Sequence, residues 1–456
     1  MAGISTVQGN GASSTSGPSS SSSKANPYKI AFALITALFF IFGFITCLND
    51  ILVPHLKSLF TLNYAQAALV QFCFFTAYFF ASLPSGKIVT KLGYKWGTIL
   101  GILITAVGCL LFYPAAGLQS YAYFLVGLFI LASGITLIQV AVNPYIAILG
   151  PSETASSRLN LAQAFNSLGT TIAPMFGSYL ILSVGMKKAA DLQAMDDAAR
   201  AAYKVTQAQA VQGPYIGLAI ALVVLAVIVG ISHLPAIVGD STSDKDAPVN
   251  SNDRPSAWHY RHLVLGAIGI FCYVGAEVAI GSYLVNFIGL ADVAGMPEAL
   301  AAKYVSFYWG GAMVGRFVGA VVLRKIRPGK VLAFNATVAT LLVLIAMATT
   351  GSIAMWAIIA IGLCNSVMFP TIFTLAINGL GKNTGQGSGI LCMAIVGGAV
   401  VPLLQGELAD TLGLHHSYVL PVICYLYITF YGVKGYRFLT ASGDAVKTAK
   451  TVTQTA

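Results

Sequence analysis

The sequence predicts an all-α membrane protein, with twelve transmembrane helices in two pseudo-symmetric six-helix bundles. Three observations predict it. Hydrophobic residues make up 57% of the 456 residues and charged residues only 9%, against about 25% charged in soluble domains. The apolar residues fall into twelve runs long enough to cross a bilayer core, which takes about 20 helical residues. The basic residues sit between those runs with a strong bias to one side. Helices are required, because an open sheet edge in hydrocarbon leaves backbone groups unpaired.

Residues 1–26 are Ser- and Gly-rich and are expected to form a disordered tail. They do not read as a cleaved signal, since a full span follows directly. The spans are expected at about 29–53, 66–90, 96–116, 120–149, 159–184, 212–238, 261–289, 301–324, 330–349, 353–380, 385–412 and 416–439. The N-terminal bundle then covers 27–238 and the C-terminal bundle 261–440. A polar cytoplasmic linker, 239–260, joins them, and a tail, 441–456, ends the chain. The outer segment 185–211 is Ala-rich with mixed charges and reads as a short surface helix.

Eighteen of the 25 Lys and Arg residues lie on one side of the spans and six on the other. That bias places both termini in the cytoplasm. The remaining basic residue, Arg316, sits inside span eight. The net charge of +10 is therefore an orientation signal, and no nucleic-acid partner is expected. The seven cysteines fall in separate apolar segments with no CxxC or Cys/His cluster, so they read as small buried hydrophobes, not as a metal site.

The two halves repeat weakly. Gly86-x-x-x-Thr90-Lys91-Leu92-Gly93-Tyr94-Lys95 closes span two, and Gly319 with the run Arg324–Lys330 closes span eight. Pro144 and Pro370 are 226 residues apart, and Pro174 and Pro402 are 228 apart. The same offset carries Asp50, in span one, onto Glu277, in span seven. Duplicated transporters show such internal symmetry.

Six plus six helices with a Gly-x-x-x-x-Lys-x-Gly-x-Lys turn after span two resemble the major facilitator superfamily. Thr90 stands where that family's turn usually has Asp, which weakens the acid–base latch expected there. A narrower resemblance covers nearly the whole chain beyond the tail. Cys47–Pro54, Val142-Asn143-Pro144-Tyr145, Leu149-Gly150-Pro151 and Arg158–Ser167 resemble the fucose–galactose–glucose:proton symporter family. Tyr273–Glu277, Gly315-Arg316-Phe317 and Phe369–Phe373 echo it in the second half. The resemblance implies two rigid halves rocking around a central sugar site, with Asp50 protonation coupled to transport. It also implies a second carboxylate four residues before the Asn-Pro, where this chain has Gln139. Glu277 stands where the fucose transporters have an amide, so an acid has moved from one half to the other on this reading.

An ionised carboxylate at the bilayer centre costs about 2.5–3.5 kcal/mol on insertion scales. It must face water, find a partner or be protonated. Asp50 reads as a proton carrier or as a solvated group at the outer headgroup level near Pro54 and His55. Glu277 lies deeper, and reads as a second proton site, a sugar ligand, or a protonated carboxyl bonded to a neighbouring helix. Asn160, Gln163, Asn166 and Thr170 recur every three or four residues on one face of span five, and Gln139 and Asn143 lie four apart on span four. Such amide faces mark either a polar cavity or interhelical hydrogen bonds. With the resemblance, the candidate sugar contacts are Asn49, Gln139, Asn143, Gln163, Asn166, Tyr273, Tyr308 and Asn365. Arg316, Lys91 and Lys95 are the candidate inner-gate residues, although Arg316 can also snorkel to the surface.

No HExxH, GxSxG or phosphate loop occurs with supporting context, so neither an enzyme nor a primary pump is expected. The leading function is proton-coupled uptake of a neutral monosaccharide of the glucose, galactose or fucose type, by a monomer in the cell inner membrane. No cofactor is expected beyond the co-transported proton, with sodium as an alternative. A facilitative or sodium-coupled sugar carrier, or an N-acetylhexosamine permease of the same fold, remain alternatives.

Overall fold

A computed structural model describes residues 27–60, 64–118, 120–180, 195–232, 234–235 and 255–439. The expected tails, and most of the expected linker, lie outside the described residues. The helices are α1 (Pro27–Phe60), α2 (Tyr64–Gly117), α3 (Tyr121–Ile148), α4 (Ala155–Leu180) and α5 (Asp197–Ile231), followed by α6 (Arg261–Gly289), α7 (Glu298–Val322) and α8 (Pro328–Ala348). Then come α9 (Gly351–Asn365), α10 (Met368–Ile377), α11 (Thr384–Met393), α12 (Gly397–Leu412), α13 (Leu414–Ser417) and α14 (Val419–Val433).

Ten described stretches are long and apolar enough to cross a membrane. Two departures reconcile that count with twelve expected spans. Spans two and three run into one 54-residue helix, α2, broken only at Gly93 (φ 81°, ψ 168°). That backbone lies in the region only glycine enters freely, so Gly93 is where the chain turns back. Helix α4 has 26 residues, about 39 Å at 1.5 Å per residue. Its many Ser, Asn and Gln residues take it below the apolarity of the other spans.

Three expected boundaries are corrected. Of the expected surface helix, 185–194 lies outside the described residues, and from Asp197 onward the segment is the first part of α5, one continuous helix through to Ile231. The Asp196 side chain caps it by accepting from the Ala199 amide at 2.7 Å, which satisfies one of the free N–H groups at a helix start. Span ten is split into α9 and α10. Proline clashes with the carbonyl four residues earlier, and for Pro370 that carbonyl belongs to Ser366, where the break falls. Span eleven is interrupted by a 3-10 turn at Ala394–Val396.

The outer surface is apolar in the way lipid requires. On α5 the exposed residues Ile220, Val223, Val224, Val227 and Ile231 follow helical spacing. Leu341, Leu344 and Ile345 on α8, and Leu426 and Phe430 on α14, do the same. Within the N-terminal set, α2 packs on α3 and α5, and α1 on α4. Within the C-terminal set, α8 packs on α9 and α14, and α6 on α12 and α14.

The two sets meet along two antiparallel seams, α4 against α7 and α2 against α11. Four hydrogen bonds cross between the sets near the end that carries Thr90, Arg158 and Lys382. Ser157 Oγ donates to Ala320 O at 2.5 Å, Asn160 Nδ2 donates to Arg316 O at 2.6 Å and Ser388 Oγ donates to Val140 O at 2.7 Å. Ser156 Oγ and Thr374 Oγ1 share a hydrogen bond of 2.6 Å. In the second seam Gly86 and Gly389 let the helices touch. A methyl added at Gly389 would sit 2.7 Å from Ser82 O, and one at Gly86 would sit 2.9 Å from Gly385 O.

Candidate functional site

In the N-terminal set, a small recess lies between α1 and α3. It is lined by Leu38, Phe39 and Phe42 from α1 and by Ile138, Gln139, Val142 and Asn143 from α3. The i, i+4 spacing of Gln139 and Asn143 puts both amides on this face. Gln139 Nε2 donates to Tyr78 OH at 2.8 Å. Asn143 is fully buried; neither its Oδ1 nor its Nδ2 makes a well-formed hydrogen bond, and the Cys392 thiol of α11 is the polar group that faces it. A buried polar group left unpaired costs about 1–3 kcal/mol, and a thiol is a weak partner, so this amide keeps hydrogen-bonding capacity for a polar ligand.

The α4 amides divide. Asn160 is used structurally, on the main chain of α7. Asn166 Nδ2 donates to Phe39 O at 3.1 Å, which ties α4 to α1 beside the recess. Gln163 is buried between these two. Thr170 turns its hydroxyl back onto Ser167 O at 2.8 Å.

In the C-terminal set, the acid and the base within the spans come together. Glu277 on α6 is 9% exposed, and its Oε1 lies 3.9 Å from Arg316 Nη2 on α7. The Arg316 Nη1 donates to Ser167 Oγ on α4, across the seam. Arg316 Nε, Glu277 Oε1 and Tyr273 OH are all buried without a hydrogen-bond partner. Tyr273 lies one turn before Glu277 on α6, with its side chain facing the carboxyl. Its ring centroid is 6.4 Å from that of Phe369.

Tyr308 and Asn365 sit behind this pair in a closed network. Tyr308 OH donates to Glu277 O at 3.1 Å and accepts from Asn365 Nδ2 at 2.9 Å. Tyr425 OH donates to Asn365 Oδ1 at 2.8 Å. Both expected sugar contacts therefore spend their groups on each other and on the α6 main chain.

The expected gate residues separate. Arg316 joins the two sets. Lys95 does not: its Nζ donates to Gly230 O at 2.8 Å and Ser232 O at 2.9 Å, neutralising the C-terminal end of α5 within its own set. Lys91 is exposed. Asn49 and Asp50 lie in the helical backbone of α1, and their side chains fall outside the described residues. The sequence reading missed Ser167, although it shares the Asn160–Gln163–Thr170 face. It also missed Tyr78 and Tyr425, for which no periodic signal exists.

The sequence pattern of the Major Facilitator Superfamily matches residues 34–402. A glucose/galactose transporter of Brucella abortus is 56% identical over 409 residues, covering 90% of this chain and 94% of that protein. The L-fucose-proton symporter of Escherichia coli is 37% identical over 410 residues, covering 89% and 93%. The structure of the Major Facilitator Superfamily transporter FucP in the outward conformation superposes with a TM-score of 0.82 at 36% identity, covering 89% of this chain and 99% of that one.

Proposed function

The chain belongs to the major facilitator superfamily, and from that membership we propose that it takes up a neutral hexose together with a proton by alternating access. The observation that carries this reading is the buried polar centre between the two helix sets. An Asn143 amide without a well-formed hydrogen bond and an incompletely bonded Glu277–Arg316 pair sit inside a shell of lipid-facing apolar residues. The names of its relatives supply the sugar class. The protein sits in the cell inner membrane with both termini cytoplasmic, and functions as a monomer.

In this reading the recess supplies one wall of the sugar site. Asn143 and Gln139 offer donors and acceptors to ring hydroxyls, and Phe39 and Phe42 cover an apolar face. Gln163 and Asn166 extend the polar wall from α4. On the opposite side Tyr273 and Arg316 offer donors. Tyr308 and Asn365 hold that side in place. The proton is carried by Asp50 in the first set and Glu277 in the second. The seam hydrogen bonds close one end of the molecule, the end assigned to the cytoplasm in this reading, which leaves the opposite end as the route by which sugar enters. That agrees with the superposition on an outward conformation.

The energetics suffice. One charge moving through 100 mV is worth about 2.3 kcal/mol, and a tenfold gradient costs about 1.4 kcal/mol. One proton falling through roughly 150 mV therefore concentrates a neutral sugar on the order of a hundredfold.

The test is uptake of labelled glucose, galactose and fucose into right-side-out vesicles, with an imposed proton gradient, with sodium, and with an uncoupler. Accumulation that needs the proton gradient and collapses with the uncoupler is expected. Asp50→Asn should abolish accumulation and keep exchange. Full accumulation by Asp50→Asn would remove its proton role. The amide at Gln139 favours a second reading, a facilitator, which would show equilibration that ignores both ions.

A further inference from the structure

Arg316 is a shared donor. One arm of its guanidinium reaches Ser167 on α4 of the opposite set. The other arm stops 3.9 Å from Glu277 on its own set. A guanidinium–carboxylate hydrogen bond closes at about 2.7–2.9 Å, so Arg316 is roughly 1 Å short of full contact with the acid. The unpartnered Nε and Glu277 Oε1 show that the pair is not complete in this state. The group is divided between a neutral partner across the seam and a charged partner at home.

We propose that Arg316 couples the charge on Glu277 to the closure of the α4–α7 seam, and that this contact suppresses proton slip. The proposal rests on the sugar–proton reading above and adds a rule to it. An ionised Glu277 draws the guanidinium onto itself and off Ser167. The seam then loses its charged hydrogen bond, and the empty carrier can rearrange and return. A protonated Glu277 exerts no such pull, so Arg316 stays on Ser167 and the cytoplasmic end stays closed. A protonated carrier without sugar is therefore held. Sugar hydroxyls releasing Arg316 from Ser167, by accepting from its free N–H groups, let the doubly loaded carrier cross. At Glu277 the proton is taken up from the outer solution and released from the same carboxyl oxygen to the inner solution, while Asp50 keeps the role given above.

The surroundings allow this logic. The titratable and charged groups that face Glu277 among the described residues are Tyr273 from α6, Tyr308 and Arg316 from α7, and Tyr425 from α14. The tyrosines are neutral donors. Arg316 is the one cation in the set, so the charge of Glu277 is felt mainly there. The low polarity of the site strengthens that attraction relative to water.

Proteoliposomes loaded with a pH-sensitive dye test the proposal. Sugar-free proton influx and sugar-driven proton influx are read from the same preparation. Ser167→Ala should raise the sugar-free influx about tenfold, on the order of one charged hydrogen bond lost. Ser167→Thr, which keeps the hydroxyl, should restore tight coupling. Glu277→Gln should exchange sugar and fail to accumulate it. Wild-type leak and coupling in Ser167→Ala would overturn the latch, and so would normal accumulation by Glu277→Gln. Sugar uptake by the unmodified protein with no accompanying proton movement is a separate outcome, which overturns the symport reading and with it this proposal.

Discussion

The Asn160 amide donates to the main-chain carbonyl of Arg316 at 2.6 Å, fixing α4 to α7 directly beneath the Arg316 guanidinium. In the alternating-access reading proposed above, this bond is made only while this end of the seam is closed. Asn160→Ala should therefore disfavour that state by about 1 kcal/mol, the net worth of an ordinary hydrogen bond, or about fivefold in population. Spin labels at Glu153 and Lys382, exposed positions at that end of each set, would report it as a larger long-distance fraction. An unchanged distance distribution would remove this bond from the gate.

The second seam closes by contact between backbones. Gly389 lies against Ser82 O and the Cα of Gly86, and small residues at such crossings let helices approach closely. Gly389→Leu cannot make that approach. The same label pair should show only the separated state, and uptake from the outer side should fall at least about tenfold. Helix content by circular dichroism should stay at the wild-type level, because each helix remains intact. Uptake at the wild-type rate would show that the crossing need not close.

Much of the fold was legible because the bilayer sets a length scale that polar loops then punctuate. The twelve runs, the basic side and the repeated prolines all follow from it. The run-on of α2 was hidden because Gly93 reads equally well as a loop or as a one-residue reversal. The break in α9 and α10 had its signal in Pro370, which was read only as a mark of the repeat. At the site, Glu277 and Arg316 stood out as charges in apolar runs. Their pairing did not, since residues 39 apart on different helices share no period. Ser167 was overlooked because a helical serine usually bonds back to its own turn, and this one does so as well, to Gln163 O at 3.2 Å.

The Tyr308–Asn365–Tyr425 network predicts a stability effect. Asn365→Ala strands the buried Tyr425 hydroxyl and leaves Tyr308 OH with only its bond to Glu277 O, at a cost of about 1–3 kcal/mol, and should lower the melting temperature in detergent. Tyr425→Phe should cost less, because Asn365 keeps its bond to Tyr308. The double variant should cost less than the sum of the two, as expected for residues in one network. A strictly additive double variant would show that the hydroxyls are not coupled through Asn365.

Gln139 offers the most direct test of how protons enter the first set. Its Nε2 donates to Tyr78 OH at 2.8 Å, beside the amide of Asn143. A carboxyl at 139 is nearly isosteric and can accept from the same tyrosine, so Gln139→Glu should fold. It also adds a group that ionises where the wild type has none. When ionised at the recess wall it carries an uncompensated charge, which disfavours the occluded state. Its exchange rate should therefore fall as pH rises, more steeply than in the wild type, and recover at acid pH. Equilibrium exchange of labelled sugar across a pH series reads this directly. A profile that overlays the wild type would mean that position 139 lies outside the pathway of the proton and the sugar.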